Sequence, residues 1–148
     1  AYRIKVKNLP INKLKRAYDA LVQRYAVLRT SFTNNYGGKL LQVVRKQVAS
    51  NFRHTIIKNT DGVEQVIARE KQDDLNEGFD LNQGSQMRLN VLEIGNGSYE
   101  FIWSHHHILM DGWCISVLVN DFNKLLSMEL KGEQLSFSQS GKGIEILE

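Results

Sequence analysis

The turn Gly95-Asn96-Gly97-Ser98 constrains this sequence most, because its Gly and Asn residues tolerate the positive φ of a tight reversal and apolar runs flank it on both sides. Met87 to Ile94 precedes the turn and Tyr99 to His107 follows it, so the two runs are expected to pair as a hairpin. In the second run Tyr99, Phe101, Trp103, His105 and His107 occupy alternate positions and share one face, with His106 on the other. Ile108-Leu109-Met110 is too apolar for an exposed loop, and Asp111-Gly112 then opens a segment in which Ile115, Leu118, Val119, Phe122, Leu125 and Leu126 recur at helical spacing up to Gly132. Three histidines therefore end a buried strand beside a helix N-terminus.

The rest of the chain supplies partners for that hairpin. Tyr2, Ile4 and Val6 alternate with charged residues as in a short strand, which Pro10 ends. From Asn12, read as an N-cap, Leu14, Ala17, Tyr18, Leu21, Tyr25 and Leu28 mark an amphipathic helix. Thr30 to Thr33 and Leu40 to Val48 flank Asn-Asn-Tyr-Gly-Gly as a second hairpin, and Phe52 to Ile57 reads as a further strand. Asp61-Gly62 opens a polar helix to about Glu77, with Val63, Val66 and Ile67 inward, and Gly78 and Gly84 bracket a loop. Strand, helix, strands, helix, hairpin and helix in this order describe an α+β sandwich, a mixed sheet packed with helices. Residues 136–148 are rich in Ser, Gly and Gln and read as a tail or linker after one domain over residues 2–135.

A chain of 148 residues with 42% hydrophobic and 24% charged residues is long and apolar enough to bury a core, and no 18-residue apolar run offers a membrane span. The N-terminus lacks the charged head and apolar middle of a secretory signal, and the single Cys114 suits a reducing compartment, so a cytoplasmic protein is expected. Cys114 follows a tryptophan in an apolar run and reads as a packing residue. Ala1 to Ser50 holds eleven Lys or Arg against the single acid Asp19. These bases alternate with apolar residues as surface positions do, and no nucleic-acid motif or aromatic RNA platform accompanies them, so no nucleic-acid partner is expected.

Histidines at a strand end suit proton transfer, since imidazole titrates near neutrality and a general base contributes roughly 10²- to 10⁴-fold to rate. His105 and His107 at i, i+2 with Asp111 also form a zinc-ligand option, but loops of the H-x-H-x-D-H kind need an aspartate where Leu109 stands, and the only other histidine is His54. No metal is expected. A serine nucleophile is not expected either, because no G-x-S-x-G elbow is present.

His106-His107-Ile108-Leu109-Met110-Asp111-Gly112 matches H-H-x-x-x-D-G and resembles the signature of condensation domains in nonribosomal peptide synthetases. Arg24 to Phe32, reading RYAVLRTSF, is similar to the family's R-H-E-x-L-R-T-x-F, with Tyr25 and Ala26 in place of His and Glu. Gly78-Phe79-Asp80-Leu81 through Arg88 resembles a third family segment, a Phe-Asp-Leu loop before a strand. The resemblance covers nearly all of the chain but only the opening third of such a domain.

This resemblance implies a chloramphenicol-acetyltransferase-like half that pairs with a second half of the condensation domain across a tunnel. It also implies amide formation of the kind used in peptide antibiotic biosynthesis: the amine of an aminoacyl thioester attacks a donor acyl or peptidyl thioester. Both would be carried on the phosphopantetheine of peptidyl carrier protein domains, with an adenylation domain adjacent, and no cofactor would be bound directly. His107, with His106 beside it, would take the amine's proton or position the amine, and both roles stay open. Gly112 would bring backbone close to substrate, where an N–H polarises the carbonyl. Asp111 would be a structural anion held by Arg24 or Arg29. The wording around the histidines is closest to domains that join a peptidyl donor to an L-amino acid. Two alternatives remain at this level: a coenzyme A-dependent acyltransferase with an active site between subunits, and a non-catalytic docking fragment for a carrier protein. The resemblance also implies that the chain alone is inactive.

Overall fold

The computed structural model describes residues 1–58, 61–109 and 112–132, with Gly112 and Trp113 described by backbone only. Ten elements follow one another: β1 (Tyr2–Lys5), α1 (Ile11–Arg24), a 3₁₀ turn (Ala26–Arg29), β2 (Thr30–Tyr36), β3 (Lys39–Val44), β4 (Phe52–Ile56), α2 (Val63–Glu77), β5 (Met87–Gly95), β6 (Ser98–His105) and α3 (Gly112–Lys131). Four strands form a sheet in the order β1-β6-β5-β4, antiparallel except for the parallel β4–β5 pair, and β2 and β3 form a separate hairpin. The arrangement is the expected α+β mixed sheet with helices.

Alternation along the strands decides what covers each face. Met87, Leu89 and Val91 of β5 and Tyr99 and Phe101 of β6 meet Leu14, Tyr18 and Leu21 of α1 and Leu118, Phe122 and Leu125 of α3 in the main core. The intervening residues face α2, where Ile67 packs with Leu92, Ile94 and Ile102 in a much smaller cluster. As the sequence suggests, the apolar side of α2 is thin: within the helix only Ile67 and Asp74 are buried.

Several boundaries differ from the sequence reading: in the second hairpin β2 runs on to Tyr36 and β3 stops at Val44, not Val48. Pro10, not Asn12, occupies the N-cap of α1; its carbonyl accepts from Lys13 and Leu14 N–H at 3.0 and 3.1 Å, and no side chain caps the helix. That helix stops at Arg24, because Tyr25 is extended (φ −100°, ψ 111°) and a 3₁₀ turn carries the chain on. Val27 and Leu28 are still buried, so the apolar spacing runs past the end of the helix. Strand β6 ends at His105, two residues early. The turn at residues 95–98 and the end of α3 at Gly132 stand where the sequence puts them, and Gly97 has a steric reason to be glycine: a Cβ there would lie 2.5 Å from the Val6 carbonyl oxygen. Among the described residues no helix is long and apolar enough to cross a membrane. The tail expected at residues 136–148 lies outside the described residues.

Candidate active site

Strand β6 delivers the histidines, and Trp103 fixes where that strand ends. Its ring meets Phe122 of α3 edge-on at 5.2 Å and Tyr18 of α1 at 6.0 Å, while its Nε1–H donates to Tyr2 Oη at 3.4 Å. Cys114, at the start of α3, is half-buried against this core, in keeping with a packing role.

On the opposite face the strand end is tied to α2 by charge. Ser104 Oγ donates to Asp74 Oδ2, and Arg88 Nε donates to Asp74 Oδ1 at 2.6 Å. Arg88 also donates to the Asp74 carbonyl at 3.0 Å and lies over the Phe79 ring at 4.7 Å. The side chains of Arg88 and Asp74 are only 4% and 7% exposed, so Asp74 depends on Arg88, which also reaches the more exposed Glu77 at 3.3 Å.

Past His105 the ladder continues for one hydrogen bond, His106 N–H to Gln86 O at 3.0 Å, and then stops. Leu109 N–H donates back to His106 O at 3.2 Å, closing a four-residue turn that takes His107 and Ile108 out of the sheet. Within the turn, Ile108 N–H donates to His106 Nδ1 at 3.1 Å. That nitrogen must be unprotonated to accept, so in the neutral ring the proton is assigned to Nε2. His106 thereby braces the turn, and His107 stands exposed at its outer corner. His105 and His107 do share a side, with ring centroids 5.7 Å apart at 70°. Burial lowers the pKa of His105 below the usual 6.5, and the neighbouring His107 and His106 lower it further. Ile108 is 42% exposed, contrary to the expectation of a wholly buried apolar loop, while Leu109 packs against the core.

The three histidines border a cleft of about 390 Å³ whose other walls are Asp74, Leu75, Gly78, Phe79, Trp103 and Ser104. A larger cavity, about 650 Å³, lies on the far side of Phe79. There Arg53 is held by Glu77 at 2.6 Å and Arg88 by Asp74, so the larger space has its guanidinium groups engaged while the smaller one carries the imidazoles.

Of the residues singled out in the sequence, His106 and His107 stand together at the cleft and Gly112 begins α3. Met110 and Asp111 lie outside the described residues, and with them the expected pairing of Asp111 with Arg24 or Arg29. Arg24 places its Nε 3.9 Å from Asp121 of α3 and its guanidinium 5.4 Å from the Tyr25 ring centre; Tyr25 Oη donates to the same carboxylate. The tyrosine that replaces the family's histidine thus ties α1 to α3. Arg29 reaches the Arg45 and Lys46 carbonyls at the exit of β3. Asp74 and Gln86 are not singled out by the sequence, and Ser104 only as the residue that opens the histidine segment. A signal existed for Asp74, which stands seven residues after Ile67 on the same helical face, but an acid on a polar helix reads as solvated.

Residues 2–142 match the family model described as "Condensation domain". The chain is 37% identical over 124 residues to Gramicidin S synthase 2 of Brevibacillus brevis, covering 82% of this chain and 3% of that protein. It is 30% identical over 122 residues to Bacitracin synthase 1 of Bacillus licheniformis, covering 81% of this chain and 2% of the relative. Among solved structures, the starter condensation domain of rhizomide synthetase superposes with a TM-score of 0.80 at 17% identity, over 94% of this chain and 33% of that one. The first condensation domain of the calcium-dependent antibiotic synthetase, solved with a substrate analogue, gives 0.82 at 16%, over 95% and 34%. The chain therefore spans a small part of the synthetases it matches and about one third of the solved domains.

Proposed function

This chain belongs to the condensation-domain family, and on that premise we propose that it carries the histidine side of an active site that forms amide bonds between two carrier-bound thioesters. The observation that carries the reading is the turn after β6, which lifts His107 out of the sheet onto a cleft while His106 is spent bracing the turn. The acceptor amine attacks the donor thioester carbonyl, the carbon–sulfur bond breaks, and the amine's proton leaves for His107 and then for the departing thiolate. His107 acts as base or positions the amine. Beside it His105, with its lowered pKa, stays uncharged near neutral pH, so a proton arriving on His107 meets no like charge there. The backbone N–H groups opening α3 at Gly112 polarise the carbonyl. Asp111 serves as a structural anion.

The substrates ride on phosphopantetheine arms of peptidyl carrier protein domains, and the second half of the domain supplies the facing wall, with an adenylation domain adjacent. Holding two thioesters in register contributes more than the base, since effective molarities reach roughly 10⁵ M. In a complete condensation domain containing this chain, His107→Ala is expected to lower amide formation by about 10²- to 10⁴-fold with an unchanged melting temperature. His105→Ala is expected to cost much less. Loss for both variants that added zinc restores would overturn the reading in favour of a metal site.

A further inference from the structure

Gln86 is fully buried one residue before β5, on the sheet face that meets the Phe79–Gln83 loop. Its side-chain amide donates to two carbonyls of that loop, Asp80 O at 2.9 Å and Gln83 O at 2.8 Å. Its backbone carbonyl accepts the His106 N–H at 3.0 Å, the last ladder bond before the histidine turn. One residue thus joins the two sides of the cleft: the loop that presents Phe79 and the turn that presents His107.

The other half of the amide identifies what the residue is for. Gln86 Oε1 is buried with no hydrogen-bond partner. An apolar side chain of similar size would avoid that orphan acceptor but would take the donor from the Asp80 and Gln83 carbonyls, so the unpaired oxygen is tolerated for the sake of those two bonds. What only the amide supplies is the pair of donations that hold the loop. Phe79 is itself pinned from behind by the Arg88 guanidinium, so a loop fixed at Asp80 and Gln83 has little freedom to move its ring. The tie is independent of the Asp74–Arg88–Ser104 contacts, which hold the strand and α2.

We propose that Gln86 is a positioning residue for the condensation reaction: it sets the separation between the Phe79 wall and the His107 turn, and so the space in which the amine meets the thioester. It touches no substrate. The inference rests on the reading of the histidine cleft as the active site.

The test compares single-turnover and steady-state kinetics of a complete condensation domain containing this chain, with both partners loaded on carrier proteins. Gln86→Met keeps the volume and removes both donors and the orphan oxygen. Its melting temperature is expected to stay within a few degrees of the parent while kcat falls about tenfold, as a displacement of an ångström or less suffices to do. KM for the acceptor carrier is expected to change much less than kcat, because Gln86 is wholly buried and its substitution leaves the protein surface as it is. In a Phe79→Ala background, where the wall is already gone, Gln86→Met adds less than a twofold further loss. Should Gln86→Met not fold, Gln86→Asn, which keeps an amide on a shorter arm, is measured instead with the same expectation. Unchanged kcat, a loss that multiplies fully with that of Phe79→Ala, or a loss that vanishes at temperatures where the variant is wholly folded would each overturn the proposal. His107→Ala is run alongside: if it is fully active, the active-site reading fails; if it is inactive and the Gln86 variants are normal, only the role of Gln86 fails.

Discussion

The two faces of the four-stranded sheet bury their residues by different means. On the α1 and α3 side, large apolar side chains interdigitate, with Tyr18, Phe101, Phe122, Leu21 and Leu125 almost wholly enclosed. On the α2 side the apolar cluster is small and sits away from the histidines, and the end nearest them is filled by Gln86, Arg88, Asn90 and Asp74. Glu100, also on this side, is held by Arg3 at 2.9 Å and Lys71 at 3.0 Å. Apolar contacts tolerate small slips, whereas a carboxylate fitted between a guanidinium and a hydroxyl accepts one geometry. The sheet is thus stabilised from one face and given its fine placement from the other, and the histidine turn stands at the end where both meet.

That contrast breaks most sharply at Asp74. Asp74→Ala leaves the buried Arg88 with only the half-exposed Glu77, 3.3 Å away, as a counter-charge and is expected to cost about 3 kcal/mol, the lower end for a broken buried pair, read as a shift of the urea midpoint at pH 7. Replacing both residues, Asp74→Leu with Arg88→Met, is expected to recover most of that loss while still impairing the reaction. Equal loss for the single and double variants would mean that the pair contributes stability beyond mutual neutralisation.

Leu125→Ala, on the other face, is expected to cost about 2–5 kcal/mol by leaving a cavity, with no second substitution on α1 or α3 able to restore it by neutralising charge. This loss should be nearly independent of salt and of pH between 6 and 8. A strong salt dependence would show that the apolar face is not what it is described to be.

The smallest effect concerns pH. Because burial lowers the pKa of His105, the unfolded chain takes up this proton more readily than the folded one. Stability is therefore full above about pH 6.5, the unfolded value, and declines as the pH falls below it toward the folded value. The melting temperature of His105→Gln should decline less between pH 7 and 5 than that of the parent. An unaltered decline would assign the loss to other groups.

How legible the molecule was in its sequence follows the same division. The apolar face could be read from periodicity, since Ile115 to Leu126 and Leu14 to Leu21 repeat at the helical interval and β6 alternates through Trp103. Periodicity misled where chain direction changes without a change in pattern. Val27 and Leu28 stay buried in a 3₁₀ turn, and His105 and His107 stay on one side although His106 O has already accepted the bond that ends the strand. The polar face could hardly be read at all, because a buried Asp74 or Gln86 looks like a surface residue until the arginine or the loop carbonyls that claim it are brought from elsewhere in the chain. Of the cleft, the histidines were visible as a motif; the groups that hold them were not.

The pairing of β1 with β6 also bears on how the molecule assembles. Tyr2 lies opposite Phe101, about 100 residues later in the chain, and Tyr2 is also the residue that receives the Trp103 indole hydrogen. Closing so long a loop costs entropy before any contact rewards it, and domains dominated by such distant pairings fold in milliseconds to seconds rather than microseconds. On a ribosome adding roughly 5–20 residues per second, the first strand waits several seconds for its partner to be synthesised. The support beneath the histidines is therefore among the last parts of the sheet to close.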